Sequence, residues 1–182
     1  MYYLTTAAVF GYLTFLNSIA AQIACLTLDE NSVCGPSFKG APVPQIYFES
    51  VPAFNAYMRK TFMDPEHASE SISSGTNCSV TASAARNRLQ YQLSFWCSKI
   101  ASDTVKLGCA YGGSPSTLRL CASQCNQATE SIKSLLGANA CTTPHANPEA
   151  VINGFTQLCT NATTSECYQG ANDDVSVCGK SF

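Results

Sequence analysis

Apolar residues recur at helical spacing in four stretches of this chain. Phe54, Tyr57, Met58 and Phe62 share one face, with Ser50 ahead of them as a cap and Pro52 in the first turn. They predict a helix from Ser50 that Asp64-Pro65 ends. Leu89, Leu93, Trp96, Cys97 and Ile100 form a second stripe, broadened by Tyr91 and Phe95, and predict the longest helix over 81–104. Leu118, Cys121, Cys125, Ile132 and Leu136 form a third, opened by Ser114-Pro115 and stopped by Gly137. Val151, Ile152, Phe155, Leu158 and Cys159 form the fourth, opened by Asn147-Pro148-Glu149.

Between the stripes the chain is polar or punctuated. Residues 21–49 carry Pro36, Pro42, Pro44, Gly35 and Gly40 and read as loop, with one short strand over 45–48. Residues 64–80 are rich in Ser and Glu and read as a solvent loop. Gly108-Cys109 and Gly112-Gly113 break the chain, and residues 161–182 read as a tail. The fold class is therefore mainly α: a disulfide-stapled helical domain of about four helices with long loops.

The first stripe-like segment is of another kind. After Met1 to Thr6 comes an apolar run from Ala7 to Leu16, then Ser18 and Ala20, the small residues a signal peptidase requires. Residues 1–20 are read as a signal peptide, with cleavage after Ala20 or one residue later. The competing reading is a retained anchor, but Thr14, Asn17, Ser18 and Gln22 interrupt a run that should hold roughly 20 mostly apolar residues. Residues 21–182 are left as one cysteine-rich extracellular domain, with no C-terminal apolar tail to signal a glycolipid anchor or a second span.

Eleven cysteines then decide the compartment: Cys25, Cys34, Cys78, Cys97, Cys109, Cys121, Cys125, Cys141, Cys159, Cys167 and Cys178. Reducing compartments rarely tolerate that many, and zinc would want C-x-x-C pairs or matched histidines, which are absent. Disulfides are the reading, with one thiol left over from an odd count. Cys121 and Cys125 lie one helical turn apart on the same face, so they bond different partners, Cys97 and Cys141 being the natural candidates. Cys25 and Cys34 either close a short N-terminal loop or staple the terminus to the core. Cys97, Cys121, Cys125 and Cys159 are expected to tie helix to helix.

Charge is sparse. Asp, Glu, Lys and Arg make up 12% of the chain, the net charge is −2, and no basic cluster exceeds Arg59-Lys60. Nucleic acid needs a stripe of cations and is excluded as a partner. Polar side chains and glycans must instead solvate the surface. Two sequons, Asn77-Cys78-Ser79 and Asn161-Ala162-Thr163, mark surface loops and candidate glycosylation sites. The cysteine inside the first makes it the poorer acceptor once oxidised.

No catalytic, metal or cofactor site emerges. Gly112-Gly113-Ser114-Pro115-Ser116 lacks the closing glycine of a nucleophile elbow. His67 and His145 sit in polar loops without a sequence partner, Asp173-Asp174 alone is a poor calcium site, and Trp96 belongs to a core stripe. A carboxylate pair for glycoside hydrolysis has no fixed spacing and stays open.

The block from Leu89 to Cys141 resembles frizzled-like cysteine-rich domains. It has an aromatic residue before a helix cysteine (Trp96-Cys97), a second cysteine a loop later (Cys109), then Leu120-Cys121-Ala122-Ser123-Gln124-Cys125. It departs from that order in having no cysteine from Asn126 to Ile132. Cys167-Tyr168-Gln169-Gly170 through Cys178-Gly179-Lys180-Ser181 is similar to the close of cysteine-rich ectodomains in fungal surface proteins. Leu120-Cys121-Ala122-Ser123 with Cys141 resembles elicitin-like sterol carriers, whose paired cysteines stand one residue further apart. These resemblances imply an α-rich, disulfide-bonded fungal secreted or surface domain, and members of both families bind lipids. The expected function is a non-enzymatic binding or cell-wall interaction domain for an extracellular protein, glycan or lipid. A lipid or sterol carrier and a secreted hydrolase are the alternatives.

Overall fold

The structure, a computed structural model, describes residues 23–137, 141, 146–160 and 162–170. The predicted signal peptide, His145, Asn161, Asp173, Asp174 and Cys178 lie outside the described residues.

The chain enters through a two-stranded antiparallel ribbon. Strand β1 (Cys25–Thr27) pairs with β2 (Pro42–Pro44), Leu26 opposite Val43. Between them a 3-10 turn, Pro36–Phe38, drives Phe38 into the interior. The strand expected at 45–48 is instead a turn. The amides of Tyr47 and Phe48 donate back to the carbonyls of Pro44 and Gln45, at 3.3 and 3.2 Å. The strand falls earlier because Pro42 and Pro44 lack a donor, which suits an edge strand offering only carbonyls.

Helix α1 (Val51–Phe62) is the helix the pattern predicts. Ser50 Oγ accepts from the Ala53 amide at 3.3 Å, and Phe54, Met58 and Phe62 are buried. Asp64-Pro65 does not end structure but restarts it. Asp64 accepts from the amides of Glu66 and His67, Pro65 takes the first helical position, and α2 runs Pro65–Thr76. The expected solvent loop is thus a helix. Its buried residues are Ala68, Ser69 and Thr76, so it docks through small side chains that leave no apolar stripe to read.

The predicted longest helix is two. Helix α3 (Ala82–Arg88) stops, and α4 (Gln92–Lys106) starts beyond Tyr91, whose φ of 55° lies in the left-handed region. The buried side of α4 is Ser94, Phe95, Cys97, Ser98, Ala101 and Thr104. Leu93, Trp96 and Ile100 are only half-buried. The predicted stripe is rotated by about one residue, roughly 100°. Polar groups replace apolar ones there because they have partners: Ser98 Oγ accepts from the Leu120 amide at 2.8 Å. Gly108, at φ 97°, then turns the chain out of α4.

Ser114-Pro115 opens only a 3-10 turn, Pro115–Leu118, rather than the full predicted helix. Leu120 is diverted into a parallel bridge with Tyr168, and α5 begins afterwards (Ala122–Gly137). Helix α6 (Pro148–Cys159) follows its predicted cap, Asn147 Oδ1 accepting from the Ala150 amide. Six α-helices stand among the described residues where about four were expected, and the mainly helical class holds. No helix among them is long and apolar enough to cross a membrane.

Helix α4 is the axis of the packing. It touches β2, α1, α5 and the 115–118 turn, while α2 joins α3 and α6, and α5 joins α6. Most buried apolar residues form one cluster, from Leu28 and Phe38 through Phe54, Met58 and Phe95 to Ile132, Leu135 and Phe155. Phe95 and Phe155 stack at 4.2 Å, and Trp96 stacks on Phe62 at 5.1 Å.

Ten cysteines form five bonds: Cys25–Cys109, Cys34–Cys97, Cys78–Cys141, Cys121–Cys167 and Cys125–Cys159. Cys34 staples the N-terminal segment to α4 and Cys25 staples it to the turn just beyond that helix, so the two do not close a local loop. Cys121 and Cys125 do bond different partners, as their spacing requires. Those partners are Cys167 and Cys159, not Cys97 and Cys141. Cys97 is taken by the N-terminal loop, and Cys141 by the end of α2. Among the described residues only Cys125–Cys159 joins one α-helix to another; the other bonds involve a loop, turn or strand.

Candidate functional site

Two concavities open on α4, one polar and one apolar. The polar cleft lies between α4, the Arg119-Leu120 segment and the end of α6, with a volume of about 160 Å³. Its polar lining includes Lys99, Ser102, Asp103, Lys106, Arg119 and Gln157, and Phe95 and Leu158 supply apolar wall.

Asp103 organises the charges. Lys99, one turn earlier on α4, forms an ion pair with its Oδ2, and Lys106 Nζ lies 2.9 Å from Oδ1. The i,i+4 and i,i+3 spacings put all three on one side of the helix. Burial raises the Asp103 carboxyl pKa, but hydrogen bonds and charge from Lys99 and Lys106 outweigh it and hold the group below its usual range. Lys99 is 13% exposed and Lys106 66%, so Lys106 is the cation that faces water.

Two lysines against one carboxylate leave an excess of positive charge at the site, which Arg119 also lines. The Arg119 backbone is fixed, its carbonyl accepting from the Tyr168 amide at 2.7 Å. Ser102 Oγ is buried with no hydrogen-bond partner. A small acidic or polar group entering the cleft would meet a hydroxyl and a surplus of cations.

The apolar groove lies between α1, α2, α4, α5 and α6. Phe62, Trp96, Phe155, Ile132, Val151 and Leu89 dominate its walls, and its volume is about 40 Å³. Trp96 is half-buried and packs against the core cluster. Beyond its stack on Phe62 it meets Phe95 edge-on at 5.7 Å and Phe155 at 6.1 Å.

The remaining predicted residues are scattered. His67 is not in a loop but in the first turn of α2, its Nδ1 3.3 Å from Asp64 Oδ2. Burial acts to raise the Asp64 carboxyl pKa, but the amides of Glu66 and His67 and the His67 imidazole hold it below its ordinary value. That pairing serves the cap. Asn77 is exposed at the end of α2, next to buried Cys78. Among the described residues no group of three or more His, Cys, Asp and Glu side chains gathers as a metal ligand set. Sequence reasoning missed the cleft. The Lys99, Asp103, Lys106 spacing was available as its signal, but the approach of Arg119 depends on the Leu120–Tyr168 bridge.

No family model matches the chain, and no curated protein or solved structure matches it either.

Proposed function

We propose that this chain is a secreted, disulfide-built recognition domain of the cell surface or cell wall, without a catalytic step of its own. We further propose that the cleft beside Asp103 receives an acidic group of its extracellular partner. The observation that carries the reading is the covalent frame. Five bonds spanning 34 to 84 residues reach both ends of the described chain, which is the economy of an oxidising compartment. The cation excess around Asp103 supports the ligand class. The likeness to frizzled-like and fungal surface domains supplies the same kind of role.

A lipid carrier is less well supported. Ligand pockets run to roughly 300–1,000 Å³, and the apolar groove offers about 40 Å³. For a hydrolase, the two carboxylates with depressed pKa values are already committed, Asp64 to a helix cap and Asp103 to two lysines.

The test is expression of the full chain in a secretory host, then chromatography of the secreted protein on polygalacturonate and on neutral dextran. Mature protein lacking residues 1–20, ten hydrogens lighter than its reduced form, retained on the polyanion and released by salt, is expected. Lys106→Glu should abolish retention without changing the circular dichroism. Equal behaviour of wild type and K106E on both resins would overturn the cleft assignment. Retention of the chain inside the cell with Met1 in place would overturn the secretory reading.

A further inference from the structure

The sequon Asn77-Cys78-Ser79 sits at the end of α2 in a conformation that bears on when it can be modified. Asn77 has φ 55° and ψ 27°, a left-handed helix end that asparagine tolerates. The next residue is locked. Cys78 is 3% exposed, its amide donates to Thr76 Oγ1 at 3.2 Å, and its sulfur is bonded to Cys141. Thr76 is itself fully buried, and its carbonyl accepts from the Asn147 amide at 2.8 Å. The Asn77 side chain, by contrast, is exposed.

N-glycosylation sets a geometric demand. The Asn amide nitrogen forms a bond to C1 of a lipid-diphosphate-linked oligosaccharide. The C1–O bond to the diphosphate breaks, the lipid diphosphate departs, and the amide loses a proton. The enzyme must hold the tripeptide extended to read the hydroxyl at its third position. In the folded chain that requires Asn77 to leave its left-handed turn and Cys78 to leave the core while bonded to Cys141. A glycan already attached to Asn77 does not have to enter the core, because that residue is exposed.

We infer that Asn77 accepts a glycan only while the Cys78 thiol is unpaired, so that the closing of Cys78–Cys141 ends a time window for modification. The inference rests on the secretory reading above. Its length follows from the chain. Cys141 lies 63 residues after Cys78, and at about 5–20 residues per second of synthesis its arrival lags by roughly 3–13 s. Chains modified in that interval and chains that close first both reach the same fold. The secreted protein is therefore a mixture of two glycoforms at Asn77.

The experiment is site occupancy by mass spectrometry after enzymatic deglycosylation in heavy-oxygen water, on secreted and intracellular chain from a eukaryotic host. Three proteins are compared: wild type, Cys141→Ala, and the double variant C121A/C167A. C141A leaves the sequon intact but frees Cys78. C121A/C167A removes a different bond without freeing Cys78. Expected is partial occupancy in wild type, at least a twofold rise in C141A, and wild-type occupancy in C121A/C167A. Equal occupancy in wild type and C141A overturns the inference, as does an equal rise in both variants. A chain that stays cytosolic with both Asn77 and Asn161 bare overturns the secretory reading with it. A secreted chain glycosylated at Asn161, with Asn77 indifferent to Cys141, overturns this inference alone.

Discussion

Two of the disulfides are nested, and that makes their contributions to stability interdependent in a calculable way. Cys25–Cys109 spans 84 residues and encloses Cys34–Cys97, which spans 63. On the chain-entropy account, each alone would stabilise by about 4.6 and 4.3 kcal/mol at 25 °C. With the inner bond present, however, the outer one closes a ring of only the 21 residues by which the spans differ. Its contribution falls to about 3.3 kcal/mol. With the outer bond present, the inner one acts on two parallel paths equivalent to roughly 16 residues and contributes about 3.1 kcal/mol. Removing both costs about 7.6 kcal/mol, more than the two single losses together by about 1.2 kcal/mol. The assay is guanidinium unfolding, followed by helical circular dichroism, of wild type, C25A/C109A, C34A/C97A and the quadruple variant. Loss of sulfur packing enters single and combined variants alike and cancels in the cycle. A coupling below about 0.5 kcal/mol, within the ordinary scatter of additivity, would refute the reasoning.

Three further outcomes follow from the packing and the charges. Gly170→Ala places a Cβ 2.8 Å from Tyr91 Cδ1, and should lower stability by about 1–3 kcal/mol in the same unfolding assay. Phe155→Ala removes a buried ring stacked on Phe95, and should cost about 3–5 kcal/mol. It should also enlarge the apolar groove enough for a benzene-sized probe to raise the Tm, as wild type should not. Because the Asp103 carboxyl pKa is depressed in the folded state, its contribution is present above the unfolded value and is lost on acidification through the folded one. The stability gap between wild type and D103N should be constant from about pH 7 to 5 and should close below about pH 4.

The elements legible in the sequence are those whose start signals and apolar stripes agree. Ser50 with Phe54, Met58 and Phe62, and Asn147-Pro148 with Val151 and Phe155, are such cases. Helix α2 carries the same start signal, Asp64-Pro65-Glu66, but buries only Ala68, Ser69 and Thr76, so the signal reads as a stop. The break at Tyr91 has no glycine or proline to announce it. Tyr91 is 8% exposed and packs against Gly170, a contact made far along the chain. The late start of α5 has the same origin, since Leu120 is held by Tyr168. That the cysteines pair with one another was legible from their number alone, whereas the partners depended on which loops reach α4. Of the cleft, the Lys99-Asp103-Lys106 face is local and readable; Arg119 and Leu158 arrive through tertiary contacts.

The positions of the outermost bonds also govern how the molecule carries load. From Cys25 the covalent path crosses to Cys109, follows the backbone to Cys121, and crosses again to Cys167. Pulled between its first and last described cysteines, the chain would find a taut line of twelve residues, about 40 Å at full extension. The rest of the polypeptide hangs from that line as slack loops. No α-helix lies on it, so unfolding the α-helices adds no residue to its length. Tension applied at these two cysteines is borne by sulfur and backbone rather than by the core, so the α-helices can unfold without the chain extending beyond that line.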